Sequence, residues 1–417
     1  MSRQTFRRIW PLALLALAVG VAPAVADIRT PTPESVGGVN PLCPGDTDGD
    51  MVPEPGAPGY DPNAVCMHLA AGDGFANMAD GVTLYTFGFS NVTGVLPGDV
   101  IAAGTLAAMW PAPTIALKQG QDFYLALTNV GMQMRPDLFD PHTVHYHGFA
   151  NASAVFDGLP ESGIAINMGS TLTYYYYQAE PGTYMYHCHV EATEHMQMGM
   201  LGNLYVLPAQ NDLPAQTFPS GWSHTPGMTY AYNDGDGSTY YDHDYALQIG
   251  AFDRKFHEDH LAVQPLPFSE MRDTYPMING RGYPDTVLEA PIANGYDGHE
   301  SQVMDSKIVA TEGDKILLRL SNLGVVQAYT IAVDGIPMRV IARDARLLRS
   351  RKTDENLYYE TSSVTLGGGQ SMDVILDLAD FAIPAGVYPL YTTNLNYLSN
   401  GQEDFGGMMT EIHVLAP

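Results

Sequence analysis

Residues 142–148 read His142-Thr143-Val144-His145-Tyr146-His147-Gly148, and residues 187–200 run from His187-Cys188-His189 through His195 to Met200. Six of the 13 histidines of the 417-residue chain fall in these two stretches. Side chains on a β-strand point alternately to its two faces. His145 and His147 therefore share a face, and His142, three residues earlier, points the other way on a regular strand. His187 and His189 share a face, and Cys188 points away from both. If the two stretches are strands of one sandwich, His142 and Cys188 meet inside it. His145, His147, His187 and His189 gather outside, toward a neighbouring domain or subunit. His195 and Met200 come from the loop after Cys188 and close the inner site.

Two imidazoles, one thiolate and a distant thioether are the ligands of a blue-copper electron-transfer site. His142, Cys188, His195 and Met200 supply that set. The remaining histidines of the two stretches imply a second copper site, which handles oxygen, with Cys188 and its neighbours as a short covalent wire between the two. Met196 and Met198 read as apolar packing. Glu191 and Glu194 lie beside the expected electron-entry edge, either as solvated loop charges or as a draw for a cationic or metal substrate.

Working outward, Val-, Tyr-, Thr- and Leu-rich runs broken by Gly, Pro and Asn dominate, as in 122–128, 171–178 and 315–320. Helical periodicity is scarce, so the class is all-β, built of sandwiches. An internal repeat organises the chain. Residues 120–131 match 313–324 in length and pattern, His142–Gly148 aligns with Tyr329–Gly335, and 182–189 aligns with 386–394 with one residue of slippage. The aligned ligand positions in the second copy are Tyr, Ala, Asp, Thr or Asn. The division is a signal peptide (1–26), an irregular extension (27–75), a copper-binding domain (76–210) and a ligand-free domain (225–417). The join lies near 208–228, where Pro208, Pro214, Pro219 and Pro226 fall in polar sequence. The second-half histidines, at 224, 243, 257, 260, 299 and 413, are scattered and read as plain surface residues, with an interface the alternative for a few of them, His257 and His260 above all.

Residues 1–26 have a basic start at Arg3, Arg7 and Arg8, an apolar run from Leu12 to Val21 too short for a stable anchor, and Ala24-Val25-Ala26 for cleavage. This predicts export to the periplasm or medium. The Arg7-Arg8 pair leaves both Sec and twin-arginine routes open. No later segment is apolar for long enough to span a membrane. Cys43 and Cys66 suit a disulfide in an oxidising compartment, which leaves Cys188 as the odd cysteine. The net charge of −27 disfavours nucleic acid and anionic membranes. Asp46-Thr47-Asp48-Gly49-Asp50 has the start of a calcium loop without its closing Glu, and reads as an acidic turn.

On these motifs residues 75–417 resemble the multicopper oxidase family of cupredoxin-fold proteins. Asp157-Gly-Leu-Pro and 182–187 also resemble it, and 251–254, 278–284 and 340–344 look like a copper-free domain of that family. The resemblance implies two tandem cupredoxin-like Greek-key sandwiches. It implies type 1 copper at His142, Cys188, His195 and Met200, and type 2/type 3 copper ligands at His145, His147, His187 and His189. It also implies a small-molecule or metal-ion reductant and oxygen as substrates. There are two departures. Six residues separate Cys188 from His195, two more than the laccase-like loop. A complete trinuclear cluster in the family uses eight histidines, and only four are visible here, so another domain, a second copy in a homo-oligomer or a partner subunit must complete it. Three functions fit: an oxidase, ranked first; a non-catalytic blue-copper carrier or copper-binding protein; and an enzyme like two-domain copper nitrite reductase.

Overall fold

The computed structural model describes residues 41–149 and 152–417. The expected signal peptide and residues 27–40 lie outside the described residues. The first sandwich pairs two four-stranded sheets. One has the order β2-β1-β4-β6, from β1 (Ala64–Asn77), β2 (Thr83–Asn91), β4 (Asp122–Gly131) and β6 (Thr171–Tyr177). The other has the order β3-β8-β7-β5, from β3 (Ala112–Lys118), β5 (His145–His147), β7 (Gly182–His187) and β8 (Leu201–Leu207). β1 runs parallel to β4 and β3 parallel to β8, while the other neighbours are antiparallel.

The second sandwich repeats this order. Its strands are β9 (His243–Phe252), β10 (Tyr275–Ile278), β11 (Ile308–Thr311), β12 (Lys315–Asn322), β13 (Tyr329–Val333), β14 (Met338–Arg343), β15 (Ser363–Leu366), β16 (Gln370–Asp377), β17 (Gly386–Thr392) and β18 (Met409–Leu415). The sheets run β10-β9-β12-β16-β14 and β11-β18-β17-β13-β15, and short edge strands extend the first. β9 is parallel to β12 and β11 to β18, as in the first copy. The repeat is thus structural: β4 answers to β12, β5 to β13 and β7 to β17. The class is all-β, two tandem cupredoxin-like sandwiches.

Two boundaries differ from the sequence reading. Residues 64–75, placed in the irregular extension, form most of β1. Their Ala- and Gly-rich sequence lacks the alternation that marks a strand, because nearly every side chain from His68 to Ala76 is buried. The segment between the sandwiches runs from 208 to 242 and carries two small hairpins, 216–224 and 229–241. A disulfide joins Cys43 to Cys66 and ties the leading segment to β1.

The core of the first sandwich contains Tyr146, Tyr174, Tyr176 and Tyr186 together with Cys188 and Met200. Tyr146 stacks on Tyr176 at 3.9 Å between ring centroids. Each such buried side chain contributes roughly 1.5–3 kcal/mol, so the strands carrying the histidines are anchored by the residues between them. The sandwiches meet through a shared apolar cluster that includes Trp110, Met185, Leu201, Phe252, Tyr275 and Leu323. Ser371 Oγ donates to Thr183 O (2.7 Å) across that seam, and Tyr232, from the segment between the sandwiches, donates to Asp373.

Candidate metal centre

β5 pairs antiparallel with β7, His145 facing His187 and His147 facing Met185. This register brings both histidine stretches to one end of one sheet. His142 precedes β5 and bridges to Ile166, which fixes its backbone while its ring turns inward. His195 lies on α1 (Ala192–Met198), where the sequence reading expected a loop. Seven residues are too few to display a helical period. Met200 follows α1 after the single residue Gly199, and its carbonyl accepts from Cys188 N at 3.0 Å.

His142, Cys188, His195 and Met200 are all fully buried. Both Nδ1 atoms face the sulfur, His142 at 3.8 Å and His195 at 3.3 Å. A metal with bonds of about 2.3 Å to sulfur and about 2.0 Å to nitrogen would hold S and N roughly 3.5–3.8 Å apart. Both Nε2 atoms are buried without a hydrogen-bond partner among the described residues. Burial pushes the Cys188 thiol up to about 11 and His195 down to about 4, and holds His142 well below its ordinary value. At neutral pH burial keeps both rings neutral, with a lone pair to offer a metal, and a bound cation would favour the thiolate. The soft sulfur and two imidazoles fit copper.

On the opposite faces, His145, His147 and His187 each offer a ring nitrogen within 4.8 Å of the others. His189 joins them, its ring 5.2 Å from His145 and 5.6 Å from His187. His145 Nδ1 donates to Asp157 O (2.6 Å) and His187 Nδ1 to Cys188 O (2.8 Å). Such bonds set the tautomer and leave Nε2 as the metal-binding lone pair. Gly158 permits the first: at φ +74° its loop lies so close to β5 that a Cβ would stand 2.1 Å from Val144 O. Burial, first of all, lowers His145, His147 and His187, the last to about 3. The second sandwich reaches this group through a backbone turn. At Gly369 (φ +81°) a Cβ would lie 2.8 Å from His147 Cε1. Among the described residues, no histidine of the second sandwich joins the group.

The scattered histidines include three that are buried, contrary to the surface reading: His224, His257 and His260. His257 and His260 lie on α2 (Arg254–Leu261) of the second sandwich, which packs onto the first. His257 spans Tyr85 O (2.6 Å) and Gln197 O (3.0 Å). His260 Nε2 donates to Glu194 Oε1 at 2.8 Å, and Phe87 sits between the rings of His195 and His260. Isolated in sequence, these residues gave no periodic signal. Asp140 was also missed. It lies with Glu191, Glu194 and His195 in a group whose ligand atoms fall within 4.8 Å of one another.

Two family models, each described as multicopper oxidase, match residues 96–211 and 256–412, together more than half of the chain. The multicopper oxidase MmcO of Mycobacterium tuberculosis is 25% identical over 308 residues, covering 71% of this chain and 51% of its own. Laccase-2 of Botryotinia fuckeliana is 25% identical over 296 residues, 70% of this chain and 42% of its own. The chain thus spans about half the length of these curated relatives. The solved blue copper oxidase from Nitrosomonas europaea superposes with a TM-score of 0.59 at 23% identity, covering 84% of this chain and 86% of that one. No described helix is long and apolar enough to cross a membrane. With both sandwiches matched by the same family's models, the chain belongs to the multicopper oxidase family, whose members bind copper.

Proposed function

We propose that the protein is an exported oxidase that takes electrons one at a time from a reductant at the sulfur site and delivers them to oxygen at the imidazole site. His142, Cys188, His195 and Met200 hold a type 1 copper. His145, His147, His187 and His189 hold the protein's share of a type 2/type 3 site. Bound copper supplies one-electron redox capacity at the first site and oxygen binding at the second. The observation that carries this reading is the bonded sequence His187-Cys188-His189, with its sulfur turned toward His142 and His195 and its imidazoles turned toward His145 and His147. Two peptide bonds, 187–188 and 188–189, therefore join the two sites. Burial of His142, Cys188 and His195 keeps bulk water from the sulfur. Asp157 O and Cys188 O hold ring protons and so orient the lone pairs of His145 and His187.

The four further histidines that a full cluster uses come, on this reading, from a second copy or a partner subunit. The export signal read in residues 1–26 and the Cys43–Cys66 disulfide support a periplasmic or secreted location. The test is copper per chain, the blue absorption, and oxygen uptake with a phenol or a reduced metal ion. One copper per chain with no oxygen uptake rejects the oxidase and leaves a blue-copper carrier. A second reading, an enzyme like copper nitrite reductase, has one specific support: ring nitrogens of His145, His147 and His187 lie within 4.8 Å of one another, close enough to share a single copper. Nitrite consumption with an artificial donor, in place of oxygen uptake, would establish it.

A further inference from the structure

The sheet β2-β1-β4-β6 carries none of the imidazole group, and on its outer face lies a cavity of about 410 Å³. Leu69 of β1, Leu127 of β4 and Leu172 of β6 turn to the core of the sandwich. Their strand neighbours His68, Thr128, Thr171 and Thr173 therefore turn outward, where they floor the cavity. The disulfide-tied leading segment walls it with Leu42, Asp46 and Met51, and the turn at 97–101 walls it with Ile101.

The floor holds a polar atom that the fold leaves unused. His68 is 4% exposed. Its Nε2 lies 2.7 Å from Thr128 Oγ1, which lies 2.7 Å from Thr171 Oγ1. Its Nδ1 is buried with no hydrogen-bond partner among the described residues. Burial pushes the ring down to about 4, against the opposing pull of Asp46, so at neutral pH it is uncharged. With Nε2–H donating along the threonine pair, Nδ1 keeps a lone pair. Leaving such an atom unpaired costs about 1–3 kcal/mol. One water would satisfy it but would leave the apolar walls bare. Sites for small molecules run from roughly 300 to 1,000 Å³, mostly apolar with a few fixed polar groups, and this cavity has that make-up.

Charge selects the head group. The Asp46 carboxylate accepts from Gly49 N (2.8 Å) and Met51 N (3.0 Å), and Asp48 and Asp50 bring an oxygen within 4.8 Å of it and of each other. None of the lining residues is Lys or Arg. A neutral imidazole lone pair, hydroxyl oxygens and a carboxylate all accept hydrogen bonds, and the charge among them is negative. The matching ligand is a cation rich in N–H donors.

We propose that this cavity binds a small organic ammonium ion whose apolar body is the size of a single ring, its N–H donating to His68 Nδ1 and its charge facing Asp46. The body packs on Leu42, Met51 and Ile101. No bond forms or breaks, and the site stands apart from the oxidase reading, since no candidate copper ligand lines it.

The test is calorimetric titration of phenethylammonium into the full chain, with and without copper. Phenethyl alcohol and hydrocinnamate serve as neutral and anionic controls on the same body. One ammonium should bind per chain with the same Kd in both forms, the alcohol should bind at least tenfold more weakly, and the carboxylate should not bind. His68→Leu should raise the Kd at least tenfold. Should that variant fail to fold, Ile101→Trp, at an exposed position on the rim, should raise it at least threefold. The proposal is overturned by absence of ammonium binding, by binding that requires copper, by an alcohol held as tightly as the ammonium, or by an unchanged Kd in the folded variant.

Discussion

The two sandwiches share one backbone and differ in what stands at the candidate metal positions. In the first, His145 faces His187 across β5 and β7; in the second, Ala332 faces Tyr391 across β13 and β17. Cys188 N bonds Met200 O at 3.0 Å, and its counterpart Thr392 N bonds Met408 O at 3.1 Å. Both methionines are fully buried. Where His142 stands in one copy, Tyr329 stands in the other, its hydroxyl donating to Asp273 and its ring 5.3 Å from Tyr397. The ladder bonds and the methionine survive without a ligand set, so the framework does not depend on metal. A cavity shaped for imidazoles is filled instead by tyrosine, as close packing requires.

The sharpest way to break the comparison is Cys188→Ser. It should abolish the blue absorption and remove one copper per chain, while the far-ultraviolet dichroism stays that of a β-protein. A blue band that persists would remove Cys188 from the ligand set. Next in size is His145→Ala: copper at the imidazole site and oxygen uptake should fall to background with the blue band retained. Loss of both coppers together would mean that the two faces are not independent.

The copper-free protein offers a smaller, thermodynamic contrast. Burial depresses His195 to about 4 from 6.5 in the folded chain, so the unfolded chain binds more protons between those values. Stability should therefore be fully present above pH 6.5 and be lost as pH falls toward 4, by about 3 kcal/mol from this ring. His142 and His187, also depressed, add to the loss in the same direction. Denaturant midpoints measured at intervals across that range decide it; a flat profile would mean that the rings are not buried neutral. The smallest effect belongs to the second copy. Thr392→Val should leave copper content unchanged and cost about 1 kcal/mol in thermal unfolding, the worth of one hydroxyl's hydrogen bond.

Strand parity is a local property, and it was legible. The spacing of His142, His145 and His147 against His187, Cys188 and His189 already sorted the candidate ligands onto two faces, because alternation holds wherever a strand is regular. The repeat was legible for a similar reason: each copy must bury the same face with the same pattern, so 120–131 and 313–324 kept it after the ligands diverged. The start of the first sandwich was not, since in β1 both faces are covered and alternation vanishes.

By itself, then, the amino-acid order marked the candidate ligands, the copy that lacks them and the opposite faces on which the two sets stand. Only the tertiary structure decided that His257 and His260 are buried on a helix laid across the first sandwich, that Gly369 rests on His147, and that Asp140 meets Glu191 and Glu194 beside His195. Those contacts join residues from about 50 to more than 200 positions apart. No periodicity encodes them, because they arise only when the first sandwich has closed on itself and buried its surface against the second.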